Sequence, residues 1–160
     1  MQFLRTTAAT LVGLVFPYRW MASIVLLLLL DFISYQAFTR SAVGLPFAHQ
    51  DKVLHFGAFF VLFLLGHLSL NYDFFPRVTR FSFKIHALNW LIWLCYGLLI
   101  EGVQSFLNYR GASAADFIAD LCGITCASLT VVSLKLYPKP TAAETHPEPI
   151  SPNQGANHHD

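Results

Sequence analysis

The sequence predicts an all-α integral membrane protein, a small bundle of four transmembrane helices with both termini in the cytoplasm. Three observations carry that reading. Of 160 residues, 55% are hydrophobic and only 12% charged, with a positive mean hydropathy, which lies outside the range of an ordinary soluble domain. The apolar residues gather in four runs, each close to the length that crosses a hydrocarbon core of about 30 Å. The Lys and Arg residues then fall unevenly between the connections.

The first span is placed at 20–38, from the run MASIVLLLLL through Asp31. The shorter run before it, Leu11 to Phe16, stops at Pro17. A cleaved signal peptide is disfavoured, because the long run carries Asp31 and no small-x-small site follows it. The second span, 53–70, is entered through Asp51, Lys52 and His55 after a loop containing Gly44 and Pro46. NYDFFPRVTRFSFK then reads as a connection, broken by Pro76 and carrying Arg77, Arg80 and Lys84. The third and fourth spans are placed at 87–107 and 115–137, completing a membrane domain over 1–137. Residues 138–160, rich in Pro, Glu, His and Asn, have almost nothing to bury and are expected to form a disordered cytoplasmic tail. His158 and His159 in it read as incidental.

Four crossings put Arg5, Arg19, Arg77, Arg80, Lys84, Lys135 and Lys139 on one side and Arg40, Lys52 and Arg110 on the other. Seven positive residues against three make the first side cytoplasmic. Net charge is near zero and no long basic run exists, which excludes nucleic acid as a partner. Cys95, Cys122 and Cys126 all lie in apolar segments and read as small buried hydrophobes, with no paired spacing of a zinc site. His67 and His86 read as interfacial.

The topology gathers the remaining polar residues at one membrane face. Asp51, Lys52 and His55 enter the second span. Glu101, Gln104 and Asn108 form a stripe at the end of the third, where Gly97 and Gly102 offer close helix approach. Arg110 and Ser113 lie in the turn, and Asp116, Asp120 and Gly123 form a stripe on the fourth. Asp31, in the outer half of the first span, is a further candidate. Ionisable groups near the ends of membrane helices are costly to desolvate, so such a set lines a shared pocket or caps and pairs the helices in register. Glu101 tips toward function, because these boundaries place it a turn and a half inside its span.

Catalytic roles are unassigned. His55 with Glu101 or Asp116 can supply an acid and a base, and Ser113 a nucleophile. No HExxH, GxSxG or phosphate loop accompanies them. A His55, Glu101 and Asp116 metal site is chemically possible, but three scattered residues are no signature, so neither metal nor cofactor is expected. A proton pathway needs acids through the membrane depth, and these are confined to one half.

DKVLHFGAFFVLFLLG, YGLLIEGVQSFLNYR and GASAADFIADLCG, between Asp51 and Ala127, together resemble the VanZ-like family of small membrane proteins. The resemblance rests on Asp51, Lys52, His55, Glu101, Gln104, Arg110, Ser113 and Asp116 in that order. Asp120, where the family commonly has Asn, and Ala127, where it has Gly, depart from it. The family's association with resistance to teicoplanin, a lipid-bearing glycopeptide, implies a non-enzymatic protein of the bacterial cytoplasmic membrane. Such a protein would alter how that antibiotic, a lipid-linked cell-wall precursor or an envelope lipid behaves at the outer face, with membrane lipids as partners. A membrane enzyme acting on a lipid-linked head group through His55, Glu101 and Asp116 remains the alternative, and a purely structural bundle a third.

Overall fold

The computed structural model describes residues 18, 20–39, 49–76, 81–109 and 111–136. The expected tail at 138–160, Arg110 and most of the basic cluster at residues 77–80 lie outside them. Among the described residues there are four long helices and no strand: α1 (Met21–Phe38), α2 (Gln50–Leu68), α3 (Phe83–Gln104) and α4 (Ala114–Leu134). α2 continues without a break into a π-helical segment, Ser69–Phe74. All four are long and apolar enough to cross a membrane, as a multi-pass membrane protein requires.

The boundaries differ from expectation at informative places. The second span runs on to Phe74, through residues assigned to a connection, because Ser69, Asn71 and Asp73 are all buried against protein. Ser23 Oγ meets Ser69 Oγ at 2.7 Å, and Asn71 Nδ2 donates to the His67 carbonyl at 2.8 Å. Asp73 does most. Its carboxylate accepts from Trp20 N at 2.9 Å and from Ser23 N at 3.0 Å, capping the start of α1. α1 has no side-chain cap of its own, so these free N–H groups are satisfied by another helix. The third span begins at Phe83 instead of 87, with Lys84 in its first turn, and ends at Gln104 instead of 107. Glu101 therefore sits in the last turn of α3, not a turn and a half inside it.

α2 is the central helix and packs against all the others, most extensively against α4. Phe59, Leu62 and Phe63 of α2 form the core with Trp93 and Ile100 of α3 and Ile124, Ala127 and Val131 of α4. Gly123 permits the α2–α4 contact, since a Cβ there would collide with the Phe56 carbonyl and approach the Phe60 amide. On α3, Gly97 faces Phe59 and Asp120 as its spacing suggested, whereas nothing packs within 4 Å of Gly102. Ala127 is fully buried, so α4 is closely packed at that position.

Large apolar side chains such as Leu27, Leu28 and Phe32 of α1, Leu98 and Leu99 of α3, and Leu129 of α4 point outward. Cys95, Cys122 and Cys126 share that outward surface, which corrects their assignment as buried hydrophobes. His67 and His86, expected at an interface, are buried at the end of the bundle opposite Glu101. His67 Nε2 lies 2.7 Å from the Leu136 carbonyl and His86 Nε2 lies 2.8 Å from Ser128 Oγ. Trp90 donates to the same hydroxyl at 3.1 Å, and Asn89 bridges the Phe63 carbonyl and Trp93 Nε1. Each such bond between membrane helices contributes about 0.6–2 kcal/mol. Together they lock that end.

Candidate functional site

At the other end, three helix termini converge: the start of α2, the end of α3 and the start of α4. Asp51 and Lys52 lie in the first turn of α2, and Lys52 Nζ bridges Asp51 Oδ2 and Asp116 Oδ1, at 2.8 Å each. One turn deeper, His55 Nδ1 meets Asp120 Oδ1 at 2.9 Å. Side-chain exposure falls along this path from 47% at Asp51 and 33% at Lys52 to 15% at His55 and 1% at Asp120. The site thus has a solvated rim and a dry floor. Neither Asp51 nor Lys52 pairs with His55 as helix spacing alone allowed; Lys52 and His55 each pair with an aspartate of α4.

Glu101 reaches the same floor from α3. Its Oε2 accepts the Ser113 backbone N–H at 2.7 Å, placing a carboxylate on the free amides that open α4. Ser113 makes no side-chain cap, so Glu101 fills that role from the neighbouring helix. Among the described residues, no hydrogen bond joins Ser113 to His55. One donor atom from each of His55, Glu101 and Asp120 lies within 4.8 Å of the other two. The third member of this triad is Asp120, not Asp116. Asp116 stays with Lys52 at the rim. Glu101 Oε1 and Asp120 Oδ2 are both closed off from the surface and have no hydrogen-bond partner among the described residues.

Gln104 serves a different purpose. Its Nε2 donates to the Ala37 carbonyl at 3.0 Å, and the Tyr109 hydroxyl donates to the Phe38 carbonyl at 2.7 Å. Both close the last turn of α1, whose carbonyls have no partner within the helix. Asp31 is exposed on α1 and does not join the cluster. Tyr96, which sequence reading passed over as apolar, meets Ser34 Oγ at 2.8 Å and ties α3 to α1 above the core. Its signal was a hydroxyl in mid-span, which needs a partner when water is absent.

Beside the cluster, between α1 and α2, lies a half-open cleft of about 570 Å3. Its walls are largely apolar, with Phe32 and Ile33 of α1, Leu54 of α2 and Ile100 of α3, while Gln50, Asp51 and His55 stand at its polar end. His55 belongs to both cleft and triad. The arrangement offers a greasy slot ending in an imidazole held by a buried carboxylate.

No family model matches the chain, and no solved structure matches it. Over 105 residues it is 31% identical to an uncharacterized protein of the fission yeast Schizosaccharomyces pombe, a match covering 66% of this chain. The chain spans 60% of that relative's length.

Proposed function

We propose that this chain is a VanZ-like membrane protein that takes the head group of an amphiphile into the His55–Glu101–Asp120 cluster, with the apolar chain lying in the cleft between α1 and α2. The observation that supports this best is the continuity of the two: His55 lines the cleft and pairs with Asp120. An apolar slot with a few convergent polar groups at one end suits a ligand of the same split character. The excess of Lys and Arg on the opposite side supports a topology with both termini in the cytoplasm and the cluster at the outer face of the membrane, which this reading takes to be a bacterial cytoplasmic membrane. There, envelope lipids, lipid-linked wall precursors and a lipid-bearing glycopeptide all present their head groups.

The second reading, an enzyme acting on that head group, draws on the His55–Asp120 pair. A carboxylate that holds an imidazole orients it for proton transfer, and Asp120 replaces Asp116 in that role.

The test is retention of amphiphile by the full chain purified in mild detergent, read by native mass spectrometry, for wild type, Glu101→Gln and the cleft-filling Ala58→Phe. Wild type is expected to keep about one amphiphile per chain, and both variants to lose most of it. Equal retention in all three would overturn the reading. Expression in a teicoplanin-sensitive Gram-positive host distinguishes the ligands: selective protection from teicoplanin, lost in Glu101→Gln, marks the glycopeptide. Chemically altered phospholipid or wall precursor after incubation with the protein marks the enzyme.

A further inference from the structure

We infer that His55, Glu101 and Asp120 bind one divalent metal ion, of the kind that accepts imidazole and carboxylate together, such as zinc or manganese. The inference rests on the proposed site and adds to it the group that would contact the ligand's head.

Geometry comes first. Three helices each contribute one donor, and these atoms lie within 4.8 Å of one another, close enough for a small ion to draw them into its coordination shell. One nitrogen and two carboxylate oxygens form a borderline donor set that suits zinc or manganese better than calcium or copper(I). Three protein ligands also leave a coordination position open, as in metal sites that act on a substrate.

The second observation is independent of the spacing. Asp120 has 1% of its side chain exposed, yet its Oδ2 meets no donor, and Glu101 Oε1 is in the same condition. Buried carboxylate oxygens are almost always satisfied, because leaving one bare in an apolar interior is among the costliest arrangements a fold can contain. The nearby ammonium does not serve them, since Lys52 already bridges Asp51 and Asp116 at 2.8 Å each. Gly97 keeps room at the same spot, for a Cβ there would stand 3.1 Å from Asp120 Oδ2. A divalent ion neutralises both carboxylates at once, where a shared proton neutralises one.

The outer shell fits as well. Ser113 N–H holds the far oxygen of Glu101 at 2.7 Å, which fixes the direction of the near one. Binding displaces the proton shared by His55 Nδ1 and Asp120 Oδ1 and releases it to solvent. The ion then sits where His55 meets the cleft, and a phosphate or carboxylate oxygen of the head group completes its coordination.

The experiment uses the full chain in detergent, stripped with chelator and dialysed separately against Zn2+, Mn2+ and Co2+, with bound metal counted by mass spectrometry and Co2+ followed by its visible ligand-field bands. Wild type is expected to hold about one ion, and Glu101→Gln, Asp120→Asn and His55→Gln to weaken binding about tenfold or more. Asp116→Asn and Arg110→Gln, outside the triad, should bind as wild type does. Absence of stoichiometric metal from folded wild type overturns the inference without any variant, as does unchanged binding in Asp120→Asn. Amphiphile retention, measured on the same samples with and without Zn2+, separates the two ideas. Retention without metal sinks the metal site alone, and metal without retention sinks the proposed function alone.

Discussion

One turn of α4 separates Asp116 from Asp120, and over that rise of about 6 Å two buried carboxylates meet different partners. Asp116 meets an ammonium that remains partly in water, whereas Asp120 meets an imidazole inside the protein. Breaking a buried pair costs most when a charge is left behind, and least when the charge itself is removed. For the metal-free protein, His55→Leu should therefore cost about 3–5 kcal/mol, whereas Asp120→Asn should cost less, because the imidazole left behind can shed its proton. Reversible unfolding in mixed micelles checks the difference. The polar residues singled out in the sequence include every member of this cluster, because charge in an apolar run is conspicuous. Their pairing was not legible. Helix spacing brought His55 to Asp51 and Lys52, and only the α2–α4 packing at Gly123 shows that its partner lies on α4.

The helices were easier to find than their ends. Hydropathy registers length, and in helices apolar on most sides it says little about which face turns inward. Lys84 was therefore assigned to a connection although it lies in the first turn of α3, and Asn71 and Asp73 were assigned to that same connection although they turn into the protein. α1 depends on such residues at both ends, on Asp73 at its start and on Gln104 and Tyr109 at its finish. Asp73→Ala removes a charged acceptor from two backbone amides and the Ser23 hydroxyl. It should cost about 2 kcal/mol. Hydrogen exchange is expected to rise in the first turn of α1 and to stay unchanged in α4. A uniform rise across all four helices would show that Asp73 supports the whole fold instead of one helix end.

Across the whole molecule the two polar ends differ in kind. The end around His67, His86, Asn89 and Ser128 is joined by short hydrogen bonds, and its buried carboxylate, Asp73, is engaged by both oxygens in capping α1. The other end carries Asp51, Glu101, Asp116 and Asp120, the bare carboxylate oxygens and the cleft. Outward-facing cysteines at mid-span give a direct check on the membrane setting. Cys95, Cys122 and Cys126 should resist a water-soluble maleimide in intact membranes and react once detergent replaces the lipid. A cysteine at Gly111 should react from outside intact cells; labelling only after lysis would reverse the orientation.

Between those ends, Gly123 brings the main chain of α4 onto that of α2 beside Phe56, the residue next to His55. Gly123→Val is expected to cost about 1–3 kcal/mol or more, with thermal unfolding as the measure. It should weaken amphiphile retention even though no polar group has changed. The position of this contact also constrains traffic. Main chain against main chain cannot yield by rotamer change, so α2 and α4 make a fixed jaw, and an amphiphile bound as proposed would have to enter sideways from the bilayer, past α1, the least buried of the four helices.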